Sequence, residues 1–126
     1  MNQMNDLIVN LERLSRQTQE AYEEESGEGL LATKLDSFYE AAVALRKEFR
    51  KVMGTGLGGV KENVRGIFKR NRGGREGDTR ILEVKAQDLS HRGTEIDGLI
   101  GAAGPTVQEY WKGVKANLRR LDAFFR

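Results

Sequence analysis

Between residues 46 and 80 the sequence carries eleven basic residues against four acidic ones. Arg46, Lys47, Arg50 and Lys51 stand close together, Lys61, Arg65 and Lys69 recur at every fourth position, and Arg70, Arg72, Arg75 and Arg80 run on through a glycine-bearing stretch. Guanidinium groups contact phosphate in a bidentate way, and glycine lets a backbone follow a phosphate chain. The chemistry this set offers is sequence-independent binding to a nucleic-acid backbone, through Arg46, Arg50, Lys61, Arg65, Lys69, Arg70, Arg72 and Arg75. Basic clustering is necessary for such binding and not sufficient for it. The competing reading is a solvated basic face, or one that meets acidic groups. Residues 1–30 hold seven acidic and two basic residues, so one part of the chain can neutralise another or a neighbouring copy.

Other constellations fail on context. Gly54-Thr55-Gly56-Leu57-Gly58-Gly59 spells G-x-G-x-x-G, but a dinucleotide site needs a strand before those glycines, and here the strongest helical pattern in the chain precedes them. Around Asp97-Gly98 a calcium-loop alignment puts Gly93 and Gly104 where acidic ligands belong. His91 is the only histidine and there is no cysteine, so zinc sites of the usual kinds and disulfides are excluded. Asp88, Ser90 and His91 are close in sequence, but positions two or fewer apart on a helix do not face one another, and the set reads as a helix end with a polar surface. Glu23-Glu24-Glu25 reads as a solvated helix end. No catalytic, cofactor-binding or metal site is expected, and the chain is not expected to be an enzyme.

The elements that carry these residues read as helical. Met4, Leu7, Leu11, Leu14 and Thr18 alternate spacings of three and four, widened by Ile8, which predicts a helix over about 3–25 ended by Gly27 and Gly29. Leu31, Leu35, Phe38, Ala42, Leu45, Phe49 and Val52 continue that rhythm in a second helix, stopped by glycines from 54 onward. Val60, Val64, Ile67 and Phe68 mark a short third helix. Asp78 is placed to N-cap a fourth, from Thr79 to about His91, although Leu82, Val84 and Ala86 also alternate as in a strand. Residues 93–105 read as a glycine-rich break ending in Gly104-Pro105. Thr106 and Glu109 form a T-x-x-E capping box before the last helix, along which Val107, Trp111, Val114, Leu118, Leu121 and Phe125 follow one stripe.

Apolar residues at 38% with a clean period argue for a folded chain despite 32% charged residues. The expected fold is all-α: one domain spanning 1–126, a bundle of four to five helices with heptad-like seams and a flexible basic glycine-rich loop at about 71–78. Leu31, Leu35, Phe38, Leu45, Trp111, Leu118, Leu121 and Phe125 are the expected core or oligomer contacts. Three such stripes suggest more apolar surface than one bundle hides, hence a homo-oligomer or a subunit of a larger complex. No apolar run reaches the roughly 20 residues of a membrane span, and the N-terminus lacks a basic leader and apolar signal core, so a cytoplasmic or viral setting is expected. Trp111-Lys112-Gly113 resembles the W-x-G of small helical-hairpin secretion substrates, where the motif sits in a turn; here it falls inside the last helix. Leu31–Tyr39 is similar to a stretch of the small helical subunit of type III CRISPR complexes over nine residues. Neither resemblance extends further, and neither family is assigned.

Overall fold

Met4, Leu7, Ile8 and Leu11 give the first helix, α1 (Gln3–Glu25), one buried apolar stripe. A computed structural model describes residues 3–57 and 76–125, with side chains described over 3–52 and 80–125. The helix stops where the N–H groups of Ser26 and Gly27 both donate to the Tyr22 carbonyl, each at 2.9 Å. Gly27 takes φ +70° there, a left-handed cap in which a Cβ would sit 3.2 Å from the Glu23 carbonyl oxygen.

Helix α2 (Leu30–Leu57) buries Leu31, Leu35, Phe38, Ala42, Leu45, Phe49 and Val52. It runs past Gly54 and Gly56, where the sequence suggests a stop. A glycine costs a helix only about 1 kcal/mol relative to alanine, and the stripe is anchored as far as Val52. Helix α3 (Glu76–Ile100) settles the ambiguity over 79–86 as helix, and it neither starts at Thr79 nor ends at His91. Asp78 lies inside it, and so do Gly93 and Gly98. Gly93 is buried, and a Cβ there would meet Leu118 Cδ1 at 3.0 Å and Phe38 Cε2 at 3.5 Å. The glycine is a packing requirement, not a break. The expected short helix over 60–68 and most of the expected loop at 71–78 lie outside the described residues.

Helix α4 (Pro105–Ala123) has Gly104 as N-cap and Pro105 in its first turn. The expected capping box does not form: Thr106 is already helical and no side chain of the helix caps it. Glu25 takes that role from the end of α1, accepting the Gly104 N–H at 2.8 and 3.0 Å through its two oxygens. A carboxylate at this position also opposes the positive end of the helix dipole. Gln108 Nε2 donates to the Ala103 carbonyl at 2.7 Å and braces the same turn.

Helix α1 packs against α2 and α4, α2 packs against α3, and the α3–α4 contact is the thinnest. Glu12 meets Arg46 and Gln19 meets Asp36; Lys34 meets Glu95; Trp111 meets Asp97; Glu25 meets Gly104. Each neighbouring pair is therefore antiparallel, and the chain is a helical bundle with four helices among the described residues, none of which is a strand. Phe38 and Trp111 meet edge-to-face across its centre, 5.2 Å between centroids and 70° between planes.

Candidate functional site

The antiparallel order gives the bundle two chemically different ends. At one end lie the α1–α2 turn and the α3–α4 turn. Glu23, Glu24 and Glu28 are exposed there, and the sequence has no basic residue between Arg16 and Lys34 and no charge between Asp97 and Glu109. At the other end lie the last turns of α2 and α4 and the first turns of α3. Lys47, Arg50, Lys51, Arg80, Arg119 and Arg120 are exposed in those parts of the helices. The connection from Leu57 to Glu76 leaves from and returns to this second end, and it carries Lys61, Arg65, Lys69, Arg70, Arg72 and Arg75. Those six residues lie outside the described part of the chain.

Of the expected phosphate-binding set, Arg46 and Arg50 are described, and they differ. Arg46 is held by Glu12 across the α1–α2 seam, with side-chain exposures of only 20% and 17%, so its charge is used inside the bundle. Arg50, one turn on, is exposed. The residues expected as core or oligomer contacts behave more uniformly. Leu31, Leu35, Phe38, Leu45, Trp111, Leu118 and Leu121 are all buried within this single chain, and Phe125 is half-buried against the same core.

The two buried hydroxyls of α1 are answered within the helix, and its buried amide is answered in part from α2. Ser15 Oγ donates to the Glu12 carbonyl at 2.9 Å and Thr18 Oγ1 to the Leu14 carbonyl at 2.7 Å. Gln19 Nε2 donates to Asp36 at 3.0 Å, leaving its Oε1 buried without a partner. Trp111 Nε1 donates to Asp97 at 2.7 Å, and Lys115 stands 3.5 Å from the same carboxylate. Trp111-Lys112-Gly113 thus lies inside α4, not in a turn. His91 is exposed, and among the described residues no three His, Asp or Glu side chains group as metal ligands. An open groove of about 560 Å³ runs between the first turns of α1 and the last turns of α4, lined by Asp6, Leu7, Asn10, Arg120 and Phe124 among others.

Three features escaped sequence reading. Glu25 caps a helix 79 residues away. On the outer α2–α3 junction, Arg92 donates to both Asp88 (2.8 Å) and Ser37, and Lys34 binds Glu95 at 2.8 Å. The Lys34 ammonium, by hydrogen bond and then by charge, holds the Glu95 carboxyl below its ordinary value. Along that same junction Leu30, Ile81 and Val84 stand exposed at 59%, 42% and 54%. The signal was present in part, because Ile81 and Val84 fall off the stripe set by Leu82, Ala86 and Leu89. No family model matches the chain, and neither a curated protein nor a solved structure proves similar to it.

Proposed function

We propose that this chain is a non-enzymatic helical interaction protein that self-associates or docks into a larger assembly through its outer surface. The observation that supports this most is the separation of charge along the bundle, with exposed Glu23, Glu24 and Glu28 at one end and exposed Lys47, Arg50 and Arg80 at the other. The heptad-like stripes serve in this reading as the chain's own core, which leaves association to charge and to the apolar residues outside them. Complementary ends steer encounter and fix orientation more than they add affinity. Their attraction is screened over about 8–10 Å at ordinary ionic strength. Sedimentation across protein concentration and salt tests the reading. A mass above the 14.2 kDa of one chain is expected at low salt and high concentration, falling as salt rises. A 14.2 kDa species under every condition would refute self-association.

A second reading has one observation in its favour. The segment bearing Lys61, Arg65, Lys69, Arg70, Arg72 and Arg75 joins the ends of α2 and α3, the same parts of the helices that expose Arg50 and Arg80. In this reading the chain is a subunit that grips a nucleic-acid backbone. Affinity for duplex should then fall with salt at a logarithmic slope of roughly −0.9 per phosphate contact. Reversing Lys69, Arg72 and Arg75 to glutamate should weaken binding to all duplexes alike. A gel-shift series that detects no complex at low salt would remove it.

A further inference from the structure

Among the described residues, three of the four exposed large apolar side chains, Leu30, Ile81 and Val84, lie along one line of the surface. On α2, Leu30 shares a flank with Lys34 and Ser37, the residues that meet α3, because positions four and three apart stack on a helix. On α3, Ile81 shares a flank with Asp88 and Arg92, and Val84 with Asp88 and Glu95; Arg92 and Glu95 are the residues that meet α2, and Asp88 pairs with Arg92 on its own helix. The pairings of 34 with 95 and 37 with 92 fix the antiparallel register, which puts Ile81 level with Glu48 and Val84 level with Leu45. Leu30 therefore marks one end of the α2–α3 junction and Ile81 with Val84 the other, roughly 27 Å away for Ile81 and 22 Å for Val84 at 1.5 Å per residue. Between them the surface is small and neutralised: Ala41 and Ala44 lie on the α2 flank, and Arg92–Asp88 and Lys34–Glu95 are closed ion pairs.

We propose that a second copy of this chain lies antiparallel along the α2–α3 junction, setting Leu30 of each copy on Ile81 and Val84 of the other. This rests on the self-association reading and gives it a geometry. The charges favour that orientation. Turning one copy end for end brings the end that exposes Glu24 and Glu28 over the end that exposes Lys47 and Arg80, and the two-fold axis does so twice. A parallel arrangement would set acidic end on acidic end and basic on basic. The contact is isologous and closes at two copies.

The chain has no cysteine, so introduced thiols report the orientation directly. Equal amounts of Leu30→Cys and Val84→Cys are mixed under mild oxidation, beside each variant alone, and the wild type and Leu30→Asp are sedimented. The expected result is a mixed disulfide dimer from the pair and little from either variant alone, because like positions are held roughly 22 Å apart and a disulfide needs Cα atoms within about 7 Å. The wild type should sediment at twice 14.2 kDa, and Leu30→Asp at 14.2 kDa with its helical circular dichroism unchanged. A wild type that self-associates while the mixture fails to cross-link and Leu30→Asp keeps its mass would overturn this geometry and leave self-association standing. A wild type of single-chain mass throughout would overturn both. Cross-linking of either single variant as efficient as that of the mixture would overturn the antiparallel arrangement.

Discussion

Gly93 and Gly98 occupy successive turns of α3 and should respond in opposite ways to alanine. Around Gly98 nothing lies within 4 Å of where a Cβ would stand, and the backbone is helical. Gly98→Ala should therefore only lower the entropy of the unfolded chain and improve helix propensity, a gain of about 0.5–1 kcal/mol. For a chain of this length that raises the thermal midpoint by roughly 2–5 °C. At Gly93 the same propensity gain meets a Cβ 3.0 Å from Leu118 Cδ1 and 3.5 Å from Phe38 Cε2, in a core where added volume costs about 1–3 kcal/mol. The net should be a loss of roughly 0–2 kcal/mol on the same scale. The interference should be specific to Leu118. Leu118→Ala alone costs about 2–5 kcal/mol, and in the double variant the new methyl fills part of the space it vacates, so the double should be less destabilised than the sum. Urea unfolding of the four proteins, followed by circular dichroism at 222 nm, measures the cycle. A destabilising Gly98→Ala would mean the helix does not run through residue 98. A Gly93→Ala gain equal to that of Gly98→Ala would mean α3 does not approach Leu118 as described.

Glu25→Ala should cost about 1 kcal/mol, the usual loss of an N-cap, and Glu25→Gln less, since the amide oxygen still accepts from Gly104; amide exchange at Gly104, Thr106 and Val107 should rise in both. Asp97→Ala strips the Trp111 indole N–H of its acceptor, at about 1 kcal/mol, with a change in tryptophan fluorescence expected before any change in helix content. A double-mutant cycle on Glu12 and Arg46 should give a coupling larger than that of Glu109 and Lys112, whose side chains are more than three-quarters exposed, and which should fall near the 0.2–1 kcal/mol of surface pairs. Because the Glu95 carboxyl is held by Lys34 below its ordinary value of 4.5, its pairing stabilises the fold above that pH and is lost as pH falls through the lowered value. A carboxyl titration by nuclear magnetic resonance should show the midpoint returning upward in Lys34→Met.

Period was the legible part of this sequence. The stripes of α1 and α4 placed Met4, Leu11, Trp111 and Leu121 in the core, because a residue's side of a helix follows from spacing alone. What spacing could not supply was the identity of the neighbour. Gly93 read as a breaker because its value lies in the Phe38 and Leu118 side chains opposite, far away in sequence. Thr106 and Glu109 matched a capping pattern, but Pro105 starts the helix one residue earlier and a carboxylate from α1 was closer. The exposed line of Leu30, Ile81 and Val84 was hidden for the same reason: it exists only once the pairings of Lys34 with Glu95 and Arg92 with Ser37 set α2 beside α3.

The charge map changes in kind when it is folded. The sequence shows an acidic first stretch and a basic middle, which suggests that the two neutralise each other within the molecule. Pairing does so in part: Glu12 takes Arg46 across a half-buried seam, Glu20 takes Arg16 on its own helix, and Glu25 is committed to α4. Glu23, Glu24 and Glu28 remain at the opposite end from Lys47, Arg50 and Arg80, separated by most of a bundle about 35 Å long, as a 23-residue α1 requires. Across that distance the attraction within one molecule is screened away, since the Debye length at physiological salt is about 8 Å. In the antiparallel dimer proposed above the same groups would come into range. The fold thus keeps apart charges that the sequence would let collapse, and the proposed contact is one arrangement that would bring them together.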